Sequence, residues 1–213
     1  MLTYRFYRLV TFPFRLAMLK LRNKDNKFII DEKMGRPTED RPKGDLIWVH
    51  CNDFAESGEA VRGLLGNMPH KTLLLTYNVR SSKHRNYFPG TICQFAPIDN
   101  YIAVRNFLRF WEPSMAVYVG SELRPIQLAM LKKSGIPSFL IDGRIPDKSY
   151  RWWKLAKRLA RKTVRNFTFI WAVDNTQTLR LANLGAHDVK SEELIFGPGR
   201  FREIVYKIRQ KTG

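Results

Sequence analysis

Cysteine is nearly missing from this chain: Cys51 and Cys93 are the only two. They are too few for a disulfide framework, and they lack the paired spacing of a zinc site, so a reducing compartment is the simpler expectation. His50, His70, His84 and His187 are scattered, with no i,i+4 pair and no Cys pair nearby, and no metal site is expected. The Gly-x-Gly-x-x-Gly fingerprint is absent after the first apolar strand, as is the P-loop pattern, which argues against dinucleotide binding in the usual way and leaves no cofactor expected. There is no internal repeat and no low-complexity tract. Acidic residues are also scarce, 19 against 37 Lys and Arg, for a formal charge of +18 and a pI near 10.2. That excess implies an anionic partner: nucleic acid, an anionic membrane surface or a phosphorylated substrate.

What is present is ample apolar material, 44% hydrophobic and 13% aromatic in 213 residues, enough for one sizeable domain. In residues 1–22, Arg5, Arg8, Arg15 and Arg22 fall within an arc of roughly 100° on a helical wheel. Leu2, Phe6, Leu9, Val10, Phe12, Leu16 and Leu19 occupy the other faces. This is the build of a basic amphipathic helix in a membrane interface, or of a helix packed on the core with its arginines in water. The charges recur too often for a bilayer-spanning helix, and Pro13 kinks or restarts the segment. Residues 23–44, polar and holding Pro37 and Pro42, read as a connector.

From residue 45 apolar strands alternate with helical patterns. Strands are predicted at 46–50, 71–76, 91–95, 115–119, 137–141 and 168–172, with a short last one in 189–196. Helices are predicted at 59–66, 100–110, 122–134, 149–165 and 176–184, and a terminal helix around 202–209. This alternation predicts an α/β fold: a single Rossmann-like three-layer domain over 45–213 with a mostly parallel sheet.

Such sheets bind ligands outside the carboxyl ends of their strands. After the first strand comes a polar loop with Glu56, Ser57, Gly58 and Glu59; Glu59 is either a proton acceptor for an attacking hydroxyl or part of a helix cap. Glu122, in the Gly120-Ser121-Glu122 turn after the fourth strand, is expected at the same crevice. Arg144, Lys148 and Ser149, after the fifth strand, offer donors for a phosphate or sugar acid, or form a solvated βα loop. The stretch 144–165 holds nine Lys or Arg against one Asp, with Trp152, Trp153, Leu155, Leu159 and Val164 between them. It suits nucleic acid, anionic lipid headgroups, or a helix with its aromatics inward and its charges solvated.

Taken in order, these motifs resemble the N-terminal domain of the 3-deoxy-D-manno-octulosonic acid (Kdo) transferases, GT-B glycosyltransferases that load Kdo from CMP-Kdo onto the lipid A precursor in lipopolysaccharide biosynthesis. The resemblance rests on Arg41-Pro42, Leu46 to His50, Ser57-Gly58-Glu59, Pro97 with Asp99, Phe107-Leu108 with Trp111, Ser121-Glu122-Leu123 with Pro125, Arg144 with Lys148-Ser149, and Leu184-Gly185-Ala186. It implies that Glu59 is the catalytic base, with Glu56 as the alternate, and that Ser57, Gly58, Asp99, Ser121, Glu122, Arg144, Lys148 and Ser149 serve the acceptor site. It also implies a peripheral place on the cytoplasmic face of the bacterial inner membrane, a phosphorylated glycolipid as ligand, and a second domain for the nucleotide donor. Residues 191–213 are too few for that domain, so a separate donor-binding chain is expected, with a non-catalytic glycolipid-binding or scaffold protein as the alternative. No RNA-binding or helix-turn-helix signature supports nucleic acid. Gly120 stands where the family carries the first acid of a Glu-x-Glu-Leu-Trp-Pro motif, and Arg124 where it carries tryptophan.

Overall fold

The computed structural model describes Ala17 and residues 26–52, 54–68, 71–78, 88, 90–191 and 200–212. The basic segment carrying Arg5, Arg8, Arg15 and Arg22 therefore lies outside the described residues. In chain order the elements are α1 (Lys27–Lys33), β1 (Leu46–Cys51), α2 (Phe54–Asn67), β2 (Thr72–Tyr77), β3 (Ile92–Phe95), α3 (Tyr101–Trp111), β4 (Met115–Val119) and α4 (Pro125–Lys133). They continue with β5 (Ser138–Gly143), α5 (Asp147–Leu155), α6 (Lys157–Val164), β6 (Phe169–Ala172), α7 (Asn175–Asn183), β7 (Val189–Ser191) and α8 (Arg200–Thr212).

The seven strands form one sheet in the order β3-β2-β1-β4-β5-β6-β7, and every neighbouring pair is parallel. Strands β1 to β6 are buried on both sides, which is why their segments read as largely apolar runs, whereas the edge strand β7 (VKS) exposes Lys190. Period-two alternation divides them between two cores. Ile47, Val49, Leu73, Leu75, Val117 and Phe139 face α2 and α8, whereas Leu46, Trp48, Leu74, Ala116, Tyr118 and Leu140 face α3, α4, α6 and α7. This is the three-layer Rossmann-like arrangement expected from the sequence.

Two local features depart from the predicted pattern. The stretch read as a connector holds α1, whose Glu32 is fully buried and receives the Thr38 hydroxyl and the Phe95 amide, tying residues 26–44 to β3. The single helix predicted at 149–165 is two, broken at Ala156 (φ −91°, ψ 41°). In a continuous helix Lys157, four residues after the buried Trp153, would share its inward face; the break turns Lys157 to solvent while Leu159, Ala160 and Val164 pack inward.

Candidate functional site

Chain direction across the sheet reverses between β1 and β4. The chain steps outward from β1 through β2 to β3, then returns to β4 on β1's other side and proceeds to β7. The crevice at this switch point, outside the carboxyl ends of β1 and β4, is where such sheets place ligands. A cavity of about 590 Å³ lies between α3 and α4 near the amino ends of β4 and β5. Its lining includes Arg105, Arg109, Lys133 and Glu112, but it lies away from the carboxyl edge of the strands, so we place the candidate site at the crevice.

A hydrogen-bonded chain runs across that edge. Trp48 Nε1–H donates to Thr76 Oγ1 (2.8 Å), Thr76 Oγ1 lies 3.0 Å from His50 Nδ1, and His50 Nε2 lies 2.8 Å from Glu122 Oε2. Arg124 donates to the same oxygen through Nε (2.7 Å) and an η nitrogen (2.5 Å), and to Asn78 Oδ1 (2.6 Å); Asn78 Nδ2 donates to Asn52 Oδ1 (3.1 Å). The chain thus joins the ends of β1 and β2 to the turn after β4.

Its proton arrangement follows from the partners. Burial holds the His50 pKa below its ordinary 6.5, against the pull of Glu122, so the ring is neutral. Burial by itself would raise the Glu122 pKa, but the Arg124 charge and the hydrogen bonds from His50 and Arg124 outweigh it and hold the carboxyl far below the usual range. An ionised carboxylate only accepts, so His50 carries its hydrogen on Nε2, and its bare Nδ1 accepts from the Thr76 hydroxyl. Burial lowers and the charges of Glu122 and Asp99 raise the Arg124 pKa, with a net rise. All three contacts to Glu122 fall on Oε2, so Oε1 keeps its acceptor capacity, and the side chain retains 23% of its exposure. Glu122 is equipped to orient a hydroxyl. A carboxylate so firmly ionised is a poor proton acceptor.

The turn itself is set by Gly120, at φ +88°, a conformation strained for any L side chain even though a Cβ there would meet no atom. On the other side of β4, the register of β5 with β6 shifts between Leu140 and Gly143, with Asp142 in the left-handed region at φ 51°. This irregularity delivers Arg144 to the crevice edge, its amide donating to the Gly120 carbonyl at 3.3 Å.

The other predicted site residues are placed variously. Glu59 is exposed and is the sixth residue of α2, which starts five residues earlier than the sequence pattern predicts. Gly58 is buried within α2, beside Arg62; the side chains of Glu56 and Ser57 lie outside the description. Asp99 is buried and its Oδ1 receives the Ile126 and Gln127 amides, capping α4 from across the fold. Ser121 is half-buried in the turn, Lys148 exposed and Ser149 half-buried in the first turn of α5. That region is tied to α7 by Gln177, which accepts from the Ile145 amide, and by Arg180, which pairs with Asp147 at 2.5 Å. His50, Thr76, Asn78 and Arg124 are crevice residues that sequence reading missed. One signal for Arg124 was available, a cation two residues from Glu122 and just before Pro125.

Among the described residues no cluster of His, Cys, Asp and Glu is suited to a metal ion, and no helix is long and apolar enough to cross a membrane.

Comparison with known proteins returns a consistent set. Residues 29–194, which hold all seven strands and every helix after α1 except α8, match the family profile described as 3-deoxy-D-manno-octulosonic-acid transferase (kdotransferase). The probable mitochondrial 3-deoxy-D-manno-octulosonic acid transferase of Arabidopsis thaliana is 28% identical over 197 residues, 86% of this chain and 44% of that protein. The 3-deoxy-D-manno-octulosonic acid transferase of Rickettsia prowazekii is 31% identical over 154 residues, 67% of this chain and 32% of that protein. A bifunctional glycosyltransferase/methyltransferase of Fusobacterium nucleatum is 22% identical over 177 residues, 79% of this chain and 27% of that protein. The chain spans less than half the length of these relatives. With the parallel sheet, its switch-point crevice and this match together, the chain belongs to the Kdo transferase family.

Proposed function

We propose that this domain is the acceptor half of a GT-B Kdo transferase-like enzyme of lipopolysaccharide biosynthesis, holding a phosphorylated lipid A precursor at the cytoplasmic face of the inner membrane. Kdo transfer from CMP-Kdo then depends on a donor site supplied outside the described domain, in a partner chain or further domain. The observation that carries the reading is the switch-point crevice, in which a firmly ionised Glu122 and Arg144 flank the Gly120 turn within a strongly basic chain. Glu122 Oε1 orients an acceptor hydroxyl, Arg144 and Lys148 attract its phosphates, and Glu59, exposed on α2, takes the hydroxyl proton as the hydroxyl oxygen bonds to the anomeric carbon of CMP-Kdo and that carbon's bond to the phosphate oxygen breaks, releasing CMP.

A second reading is favoured by the Glu122–Arg124 pair. Arg124 cancels the one carboxylate charge at the turn, which suits retention of a phosphoglycolipid without chemistry and fits a non-catalytic binding or scaffold protein.

Titration calorimetry of the purified chain separates the two. The proposal expects saturable binding of a bisphosphorylated lipid A precursor, little CMP-Kdo binding, and Kdo transfer only when a Kdo transferase donor domain is added, lost at least about a hundredfold in Glu59→Ala. Transfer unaffected by Glu59→Ala removes Glu59 as the base, no transfer with the donor domain favours the scaffold, and transfer from CMP-Kdo by the chain alone overturns the division of labour.

A further inference from the structure

The basic and aromatic stretch after the crevice is resolved by the structure into two faces. On α5, Trp153 is 8% exposed and packs in the core, with Trp152 against it edge-on at 4.7 Å between ring centroids. Trp152 itself is 48% exposed and Leu155 88% exposed. They lie three residues apart on one helical face, which also carries the exposed cations Lys148 and Arg151. The break at Ala156 makes the end of α5 a corner rather than the middle of a long rod. Beyond it, α6 opens with the exposed Lys157 and Arg158.

An unburied leucine beside a half-exposed tryptophan, surrounded by cations, is unfavourable in water and favourable at one kind of surface. Trp prefers the boundary between headgroups and acyl chains, Leu gains by leaving water, and each adjacent Lys or Arg is attracted by anionic headgroups. A nucleic acid would use the cations but offers an exposed aliphatic side chain nothing comparable. The patch also stands in a telling position. Helix α5 leaves the sheet four residues after the carboxyl end of β5, next to Arg144 at the crevice edge.

We propose that the α5 face carrying Trp152 and Leu155, with its collar of Lys148, Arg151, Lys157 and Arg158, is a membrane-docking surface that inserts into an anionic bilayer beside the crevice. It is distinct in sequence from the basic segment 1–22. The inference rests on the membrane setting of the proposed function and fixes which part of the domain faces the bilayer, so that an acceptor lipid reaches the crevice without leaving the interface.

The tryptophans provide the test. The chain has five, at positions 48, 111, 152, 153 and 171; all but Trp152 are buried, at 0–8% exposure. The full chain is mixed with vesicles of equal parts phosphatidylethanolamine and phosphatidylglycerol, the latter brominated on its acyl chains, free of any lipid A. The expected result is quenching of tryptophan emission that is largely lost in Trp152→Phe although that variant still floats with the vesicles. Leu155→Ser is expected to weaken flotation about tenfold, the loss of one buried leucine side chain. Both side chains are exposed, so neither variant threatens folding. Vesicle binding without quenching, or quenching unchanged in Trp152→Phe, assigns the contact to another surface and overturns the proposal. So does binding of single-stranded RNA that Leu155→Ser weakens while vesicles leave the emission unchanged. Because no lipid A is present, failure here leaves the acceptor-binding titration untouched, and failure of that titration leaves this result standing.

Discussion

At the scale of single residues, Thr76 matters most to the crevice. Its hydroxyl accepts from Trp48 and faces the bare nitrogen of His50, both fully buried. Thr76→Val keeps the shape but leaves two buried polar groups unsatisfied, at about 1–3 kcal/mol each. We expect a loss of about 2–4 kcal/mol in urea unfolding, largely restored by Thr76→Ser. A valine variant within experimental error of the parent protein would refute the relay. Gly120 illustrates a different residue-scale constraint. The resemblance implies an acid at this position, whereas at φ +88° an L side chain is strained, so glycine suits the turn in this chain, and Glu122 is the turn's carboxylate.

At the scale of elements, buried acids fasten pieces of secondary structure to one another. Asp99 caps α4 with two hydrogen bonds, of 3.0 and 2.9 Å, so the helix that follows the crevice turn already has its anion. Glu32 does the same for α1, receiving the Phe95 amide at 2.7 Å while buried completely. Glu32→Ala orphans that amide and the Thr38 hydroxyl and is expected to cost about 2–4 kcal/mol. Hydrogen exchange should show the loss first as earlier opening of residues 26–44 and β3; unchanged protection there would show that α1 is held by other contacts. The division of α5 from α6 belongs to this scale too. One inward-facing Trp153 and one Lys157 that must stay wet are irreconcilable in a straight helix, and the corner that resolves them creates the exposed Trp152–Leu155 face.

At the scale of the whole molecule, the crevice makes the fold sensitive to acid. The His50 pKa is lower in the folded chain than its ordinary 6.5, so below that pH the unfolded chain takes up a proton that the folded one refuses. The Glu122 pKa is lowered from an ordinary 4.5, so the unfolded chain again binds the extra proton below that pH. Both signs agree: stability is level above neutrality, declines as pH falls below 6.5, and declines more steeply below 4.5. The slope is up to about 1.4 kcal/mol per pH unit for each group. The added positive charge, on a chain already at +18, works in the same direction through self-repulsion. Calorimetric melting between pH 8 and pH 4 should show the two-stage decline. His50→Asn should delay its onset into the carboxylate range. A melting temperature flat to pH 5 would contradict the buried, neutral assignment of His50.

The sequence by itself determined the α/β class, the parallel sheet, and the boundaries of six strands to within one or two residues, because strands covered on both faces must be apolar throughout and are bracketed by turn residues. It also pointed to Glu122 and Arg144 at one edge, since both follow strands directly. The family could be read from the order of ordinary motifs. Tertiary structure alone decided which strands neighbour one another, and so where chain direction reverses and the crevice opens. His50, Thr76 and Asn78 meet Glu122 and Arg124 only because β2, β1 and β4 lie side by side, although the residues are separated by 26 to 72 positions in the chain. Asp99 had the look of a ligand residue and proved to be a helix cap for the same reason: a side chain's partner is a matter of distance in space. The solvent-facing Trp152 and the buried Trp153 are adjacent in sequence and identical in chemistry; only the packing of α5 against the sheet tells them apart.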